Sequence, residues 1–351
     1  MKSAAIPQYL ESFSSTVSAP SPRAVNIEWF REARYGLFLH FGLYSLLGRH
    51  EWVQQREQIR PGDYAELAHV FKAEAFDANA IADFAVACGM RYINITTRHH
   101  DGFCLWPSRE TTFHVGNSAC ERDLVGELAA ACEARRLGLF LYYSHGRDWK
   151  HPHAPNNDAW GGAARPEYQP AEPTYAVGAA HDLNYYVEFM FRQITELLTD
   201  YPTVAGIWLD GIAVPLSPKD ETGAVRKDFD PRRDGDAFEC QALYDHIHNL
   251  SAHALVSYKQ GYLGSEDFFA PEHKVYNRFG EEAEGKPTEV CTTSGGGWGY
   301  TAGHEYFSVD ELTQQLHAAR TGGHNLLMNV GPLPNGALPA QPKERLLAIA
   351  K

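Results

Sequence analysis

The run Gly206-Ile207-Trp208-Leu209-Asp210-Gly211 places a carboxylate directly after a short apolar stretch and a glycine directly after the carboxylate. Such a stretch reads as a buried strand that delivers Asp210 to the point where strand becomes loop, where barrel enzymes keep their chemistry. Three further apolar runs end in comparable groups: Tyr35 to Leu39 before His40, Tyr92 to Thr97 before His99, His100 and Asp101, and Gly138 to Tyr143 before His145 and Asp148. Carboxylates, paired His and Trp, with no Lys/Arg clamp and no nucleotide loop, form an inventory for handling sugars. Hydroxyls need donors and acceptors, and an apolar sugar face wants an indole. Two carboxylates then suffice for glycosidic cleavage, one attacking the anomeric carbon and the other passing a proton to and from the leaving oxygen. Asp210 is the nucleophile candidate, although the same residue standing alone would read as a helix N-cap or a turn residue.

His99-His100-Asp101-Gly102 has a second reading as a metal site. Neighbouring side chains on a strand point to opposite faces, so both His bind one ion only if the strand has already ended. No HExxH or CxxC accompanies them. Contacts to sugar hydroxyls are therefore expected, with structural histidines as the plain alternative. His40 and the following Glu51-Trp52 carry the same dual reading.

These groups need a scaffold, and the chain alternates helix-like and strand-like runs throughout. Helices are expected over Ile27 to Ala33, Asp77 to Cys88, Leu124 to Arg136, Ala180 to Asp200, Phe238 to Ala252, Asp310 to Thr321 and Gln341 to Lys351. Strands are expected over Tyr35 to His40, Tyr92 to Thr97, Leu137 to Tyr143, Val204 to Asp210, Ala254 to Tyr258, Thr288 to Thr292 and Asn325 to Val330. Alternation with apolar strands argues for an α/β fold, a parallel sheet closed into a (β/α)8-like TIM barrel. A doubly wound open sheet is the alternative; no GxGxxG or GxxxxGK[ST] follows any strand, and the polar clusters come from many strand ends. Residues 1–26 read as an N-terminal extension and 27–351 as a single catalytic domain. The long segments His145 to Ala180 and Val214 to Asp236 read as walls or lids over the site.

The chain has 351 residues, 44% hydrophobic and 21% charged, the composition of a globular protein. A net charge of −13 argues against a phosphate-backbone ligand. No apolar run approaches the roughly 20 residues that span a bilayer, and Met1 to Pro20 lacks a signal-peptide core. The six cysteines show no paired spacing, so buried free thiols and a cytoplasmic location are expected.

The motifs also carry a resemblance. Phe38-Leu39-His40-Phe41-Gly42-Leu43-Tyr44-Ser45, Glu51-Trp52, Arg98 to Phe103 with Leu105-Trp106, Tyr142-Tyr143-Ser144, Trp208 to Gly211, Trp298-Gly299-Tyr300 and Asn325 to Pro332 occur in this order. Over roughly Ile27 to Ala350 the chain resembles the α-L-fucosidases of glycoside hydrolase family 29. The resemblance implies a (β/α) barrel, retaining hydrolysis of terminal α-L-fucose, and neither metal nor cofactor. It implies that Asp210 is the nucleophile and that His40, Glu51, Trp52, His99, His100, Tyr143, Trp208 and Trp298 line the fucose pocket. Strand alternation lets only one of Tyr142 and Tyr143 face it, and the sequence leaves that choice open.

Pro271-Glu272 matches a Pro-Glu motif that supplies the acid/base in this family. Glu289 matches another family motif, with Thr288 where its Trp would stand, and is the rival, otherwise a substrate-binding group. Lys259 is the sole guess for an Arg that the family often places near the ring oxygen. Most members carry a β-sandwich after the barrel, so a barrel-only member is expected. The partner implied is a fucosylated oligosaccharide, with no nucleic acid or membrane, and a homo-oligomer is compatible. A hydrolase of α-L-galactose is the near alternative, and a fucose-binding lectin or a metal-dependent hydrolase the distant ones.

Overall fold

Eight parallel strands in the order β6-β5-β4-β3-β2-β1-β8-β7 form the centre of the molecule. They are β1 (Tyr35–Leu39), β2 (Tyr92–Arg98), β3 (Gly138–Tyr143), β4 (Gly206–Leu209), β5 (Leu255–Tyr258), β6 (Phe268–Phe269), β7 (Glu289–Thr293) and β8 (Asn325–Val330). The computed structural model describes residues 6–14, 19–160, 164–210, 236–258, 265–274 and 285–350. Parallel bridges Phe269↔Thr288 and Glu272↔Cys291 join β6 to β7, so the sheet closes on itself as a barrel. The open-sheet alternative is thereby excluded. Lys259 and all but the last residue of the Val214 to Asp236 segment lie outside the described residues.

Helices α1 (Gln8–Ser14), α2 (Pro22–Ala33), α3 (Ala78–Ala87), α4 (Leu124–Ala134), α5 (Leu183–Asp200), α6 (Cys240–Leu250), α7 (Val309–Gly322) and α8 (Ala340–Ile349) accompany the strands. Several of their starts carry oxygen caps: Asp77 accepts from Ala80 N, Asp123 from Gly126 N, and Ser308 forms a reciprocal capping box with Glu311. Each such cap is worth about 1 kcal/mol. The alternation lapses at two successive connections, since among the described residues no helix separates β5 from β6 or β6 from β7.

Side-chain alternation along the strands builds two apolar layers. Leu37, Ile93, Leu139 and Ile207 face the helices, whereas Phe38, Tyr92, Phe140, Trp208 and Leu327 fill the barrel interior. The interior crowds its floor enough to demand glycine. A Cβ on Gly206 would lie 2.2 Å from Leu255 O.

Helix α2 begins at Pro22, ahead of the Ile27 expected, and with α1 it seals the floor. Phe30 meets Tyr92, Phe140 and Phe268 with ring centroids 4.5–5.5 Å apart. Asn26 is fully buried and donates to Ala205 O and His253 O. Tyr9 of α1 packs on Trp29 at 4.4 Å. The end of the expected N-terminal extension is thus part of the barrel's floor.

Candidate active site

At the opposite end of the barrel the strand ends surround a cavity of about 430 Å³. The inward-facing rows lead to it. Phe38 is followed two residues later by His40, Trp208 by Asp210, and Ala270 by Glu272, and all of these except Ala270 line the cavity. Period-two alternation explains why each site residue stands above an apolar one.

Asp210 leaves the end of β4 with its N–H on Tyr143 O at 3.2 Å and is 8% exposed. The Tyr142 hydroxyl donates to its Oδ2 at 2.7 Å, and His100 Nε2 approaches the same oxygen at 3.6 Å. Burial, then the Asp210 charge, pushes the Tyr142 phenol well above its ordinary range, so it stays a protonated donor. Tyr143 points the other way. Its hydroxyl donates to Gln193 Oε1 at 2.8 Å, and its ring carries the Arg98 guanidinium 4.3 Å from the centroid, both in the layer between sheet and helices. The expectation that Tyr143 lines the pocket is therefore corrected to Tyr142, because β3 holds only one of two consecutive side chains inward.

His99 and His100 both line the cavity, since β2 ends at Arg98 and alternation no longer applies. Their rings lie 4.1 Å apart. His100 Nδ1 meets Ser144 Oγ at 2.6 Å, and that hydroxyl donates to Arg147 O, so Nδ1 carries the proton. The same reasoning fixes His40. Asn329 donates through Nδ2 to Trp298 O and so offers Oδ1 to His40 Nδ1 at 2.7 Å. With Nδ1 so engaged, Nε2 of His100 is turned towards Asp210. Among the described residues no three His, Cys, Asp or Glu converge as metal ligands.

The turn carrying the paired His is clamped from behind. Arg98, fully buried, pairs with Asp148 and donates to Tyr186 Oη at 2.9 Å. Gly102 has φ +83, and a Cβ there would lie 2.7 Å from Asp148 Oδ1, so both the backbone and the space require glycine. Asp101 accepts from Tyr64 Oη at 2.8 Å and from Phe103 N, and burial pushes its pKa up to about 6.

A second wall joins the loops after β1 and β7. Gly299 N donates to Glu51 Oε2 at 2.7 Å, His50 N reaches Tyr300 O, and Arg49 bridges to Thr301. This wall presents Glu51, Trp52 and Trp298 to the cavity. Burial raises the Glu51 carboxyl, opposed by the Gly299 N–H and by Arg56 and reinforced by the charge of Glu272. Trp52 lies edge-to-face with His100 at 5.0 Å, and the Arg147 guanidinium sits 5.3 Å from its ring. Trp298 faces His40 at 5.1 Å.

The two candidate acids part company. Glu272 lines the cavity, held by the bridge of its backbone to Cys291 and by His273 N on Cys291 O. Glu289 does not. It lies fully buried in the barrel interior, where Trp208 Nε1 donates to Oε1 at 2.8 Å and Tyr92 Oη to Oε2 at 2.6 Å. Its expected place in the substrate pocket is corrected accordingly; it sits at the start of β7, below the strand ends. Sequence reasoning also passed over Phe38, Arg56, Arg147 and Cys291 as lining residues. Phe38 and Cys291 had a signal, each standing two residues from a named candidate; the two arginines lie off the strands and had none.

Comparison with known proteins agrees with this fold. The chain is 27% identical to a plasma α-L-fucosidase of Pongo abelii over 91% of its length, spanning 66% of that relative. Among solved structures, α-L-fucosidase isoenzyme 1 from Paenibacillus thiaminolyticus superposes with a TM-score of 0.78 at 29% identity, covering 94% of this chain and 75% of that one. The α-L-fucosidase AlfC of Lactobacillus casei, in complex with α-L-fucose product, gives 0.76 at 27% identity, with 93% and 97% covered. The sequence profile of the α-L-fucosidase family matches residues 2–351, and the chain belongs to that family of glycoside hydrolases.

Proposed function

We propose that the protein releases terminal α-L-fucose from fucosylated oligosaccharides or glycoconjugates with retention of configuration. The observation that carries the reading is the Asp210 carboxylate at the end of β4, held by Tyr142 and approached by His100, in one cavity with Glu272. Asp210 attacks C1 of the sugar as the glycosidic C1–O bond breaks, and Glu272 gives its proton to the departing oxygen. Glu272 then takes a proton from water as that water attacks C1 and breaks the bond to Asp210, so two inversions restore the configuration. His40 and His100 supply ring nitrogens for sugar hydroxyls, and the indoles of Trp52, Trp208 and Trp298 supply apolar surface.

Turnover of 4-nitrophenyl α-L-fucoside, followed by proton NMR of the sugar as it is released, tests this reading. α-L-fucose is expected first. Initial release of the β-anomer would overturn retention, and faster cleavage of the α-L-galactoside would move the substrate. The six cysteines are buried free thiols, which supports a reducing, cytoplasmic setting as part of the same proposal. Fractionation of the producing cells tests that part.

A further inference from the structure

A carboxylate inside a barrel is costly, because burial removes its hydration. Glu289 is 0% exposed, and burial pushes its pKa up to about 7. Both of its oxygens are answered, one by the Trp208 indole N–H and one by the Tyr92 hydroxyl. Trp208 is the inward-facing residue one step below Asp210 on β4. The Tyr142 ring stacks on the Trp208 indole, with centroids 5.5 Å apart and planes 23° apart, and the Tyr142 hydroxyl reaches Asp210 Oδ2. Phe38 meets the indole edge-to-face at 5.3 Å and holds it from another side. The N–H is the indole's one polar group, so the bond to Glu289 helps set the ring's direction.

We propose that Glu289 is a positioning residue: from within the barrel it fixes the Trp208 indole, and through the stacked Tyr142 it sets the aim of the Asp210 carboxylate. This rests on the assignment of Asp210 as nucleophile. It gives the buried acid a task other than proton transfer, since no part of it lines the cavity. Displacement of a reacting group by about 1 Å can cost on the order of 100-fold in rate, so a small turn of the indole suffices.

The test compares Glu289→Ala, Glu289→Gln, Trp208→Phe and the double variant Glu289→Ala/Trp208→Phe on 4-nitrophenyl α-L-fucoside, with near-ultraviolet circular dichroism of each. Glu289→Ala should lower kcat roughly 10- to 100-fold with a smaller change in KM and an altered Trp signal. Glu289→Gln keeps a carbonyl acceptor for the indole and should recover most of the rate. The double variant should lose no more rate than Trp208→Phe alone, since both changes break one contact. Losses that multiply in the double variant would overturn the proposal. So would Glu289→Gln as inactive as Glu289→Ala, or a fucosyl azide formed by either Glu289 variant when azide is added. Should Glu289→Ala not fold, the Gln and Phe variants alone still decide. A wild type that cleaves no α-L-fucoside would instead strike the proposed function, and the Trp signal of the variants would still report whether Glu289 holds the indole.

Discussion

Glu272 and Glu289 lie on adjoining segments of one barrel wall, and they meet opposite fates. The bridge of Glu272 to Cys291 sets Glu289 two residues deeper on the neighbouring strand, roughly 7 Å lower at about 3.3 Å per residue. At the upper level a carboxylate opens onto the cavity, as the proposed exchange of protons with substrate and water requires. One layer down the same group is sealed among Tyr92 and Trp208 and accepts their hydrogen bonds. Depth along the strand, more than residue type, separates a carboxylate that meets the cavity from one sealed beneath it. Tyr142 and Tyr143 repeat the lesson sideways, since one residue of offset turns a hydroxyl from Asp210 to Gln193.

The contrast breaks first at the nucleophile. Asp210→Gly should lower kcat by about 10⁴-fold or more while the fold and fucose binding persist. Added azide should partly restore cleavage of an activated fucoside and yield the β-fucosyl azide. Near wild-type turnover in this variant would end the assignment.

Glu272→Ala comes next. Natural disaccharides, with poor leaving groups, should lose about 10²- to 10⁴-fold in kcat/KM. An aryl fucoside should instead show a burst of nitrophenol, then slow turnover that azide accelerates to the α-azide. The same signature in Glu289→Ala and not in Glu272→Ala would exchange the two levels.

The tyrosine pair gives a smaller effect. Tyr142→Phe removes a hydrogen bond to a charged group, about 1.5 to 3 kcal/mol, so kcat/KM should fall roughly 10- to 100-fold. Tyr143→Phe should cost about 1 kcal/mol in urea unfolding and leave the kinetics in place. Reversed outcomes would mean that β3 faces the other way.

The smallest effect is in pH. Burial pushes the Glu289 pKa up to about 7 from an ordinary value of 4.5. Between these values the folded protein keeps a proton that the unfolded chain has released. The group's contribution to stability is therefore full below about pH 4.5, falls as pH rises towards 7, and is level above. Asp101, raised to about 6, adds a fall over a lower part of the window. Glu289→Gln should remove its own share, so the stability of wild type relative to this variant should decline between about pH 4.5 and about pH 7 in urea titrations. A constant difference would mean that Glu289 is not titrating there.

The sequence by itself determined which strands carry chemistry. Apolar runs ending in Asp210, His40 and the His99-His100 pair are local patterns, and strand burial with a polar terminus follows from local composition. Seven of the eight strands were legible for the same reason. The missing one, β6, is two residues long and too short for any periodicity, and it became a strand only by lying between β5 and β7. Tertiary structure alone decided the rest. Inside and outside are defined only once the sheet closes, so Tyr142 against Tyr143 had no local answer. The depth of Glu289 depends on the stagger between strands, which no single segment encodes. Arg56 and Arg147 reached the cavity through loops whose course is set by distant partners, such as the Arg98 and Asp148 pair behind the His turn. Local sequence specifies period and polarity; register, closure and burial are properties of the whole barrel.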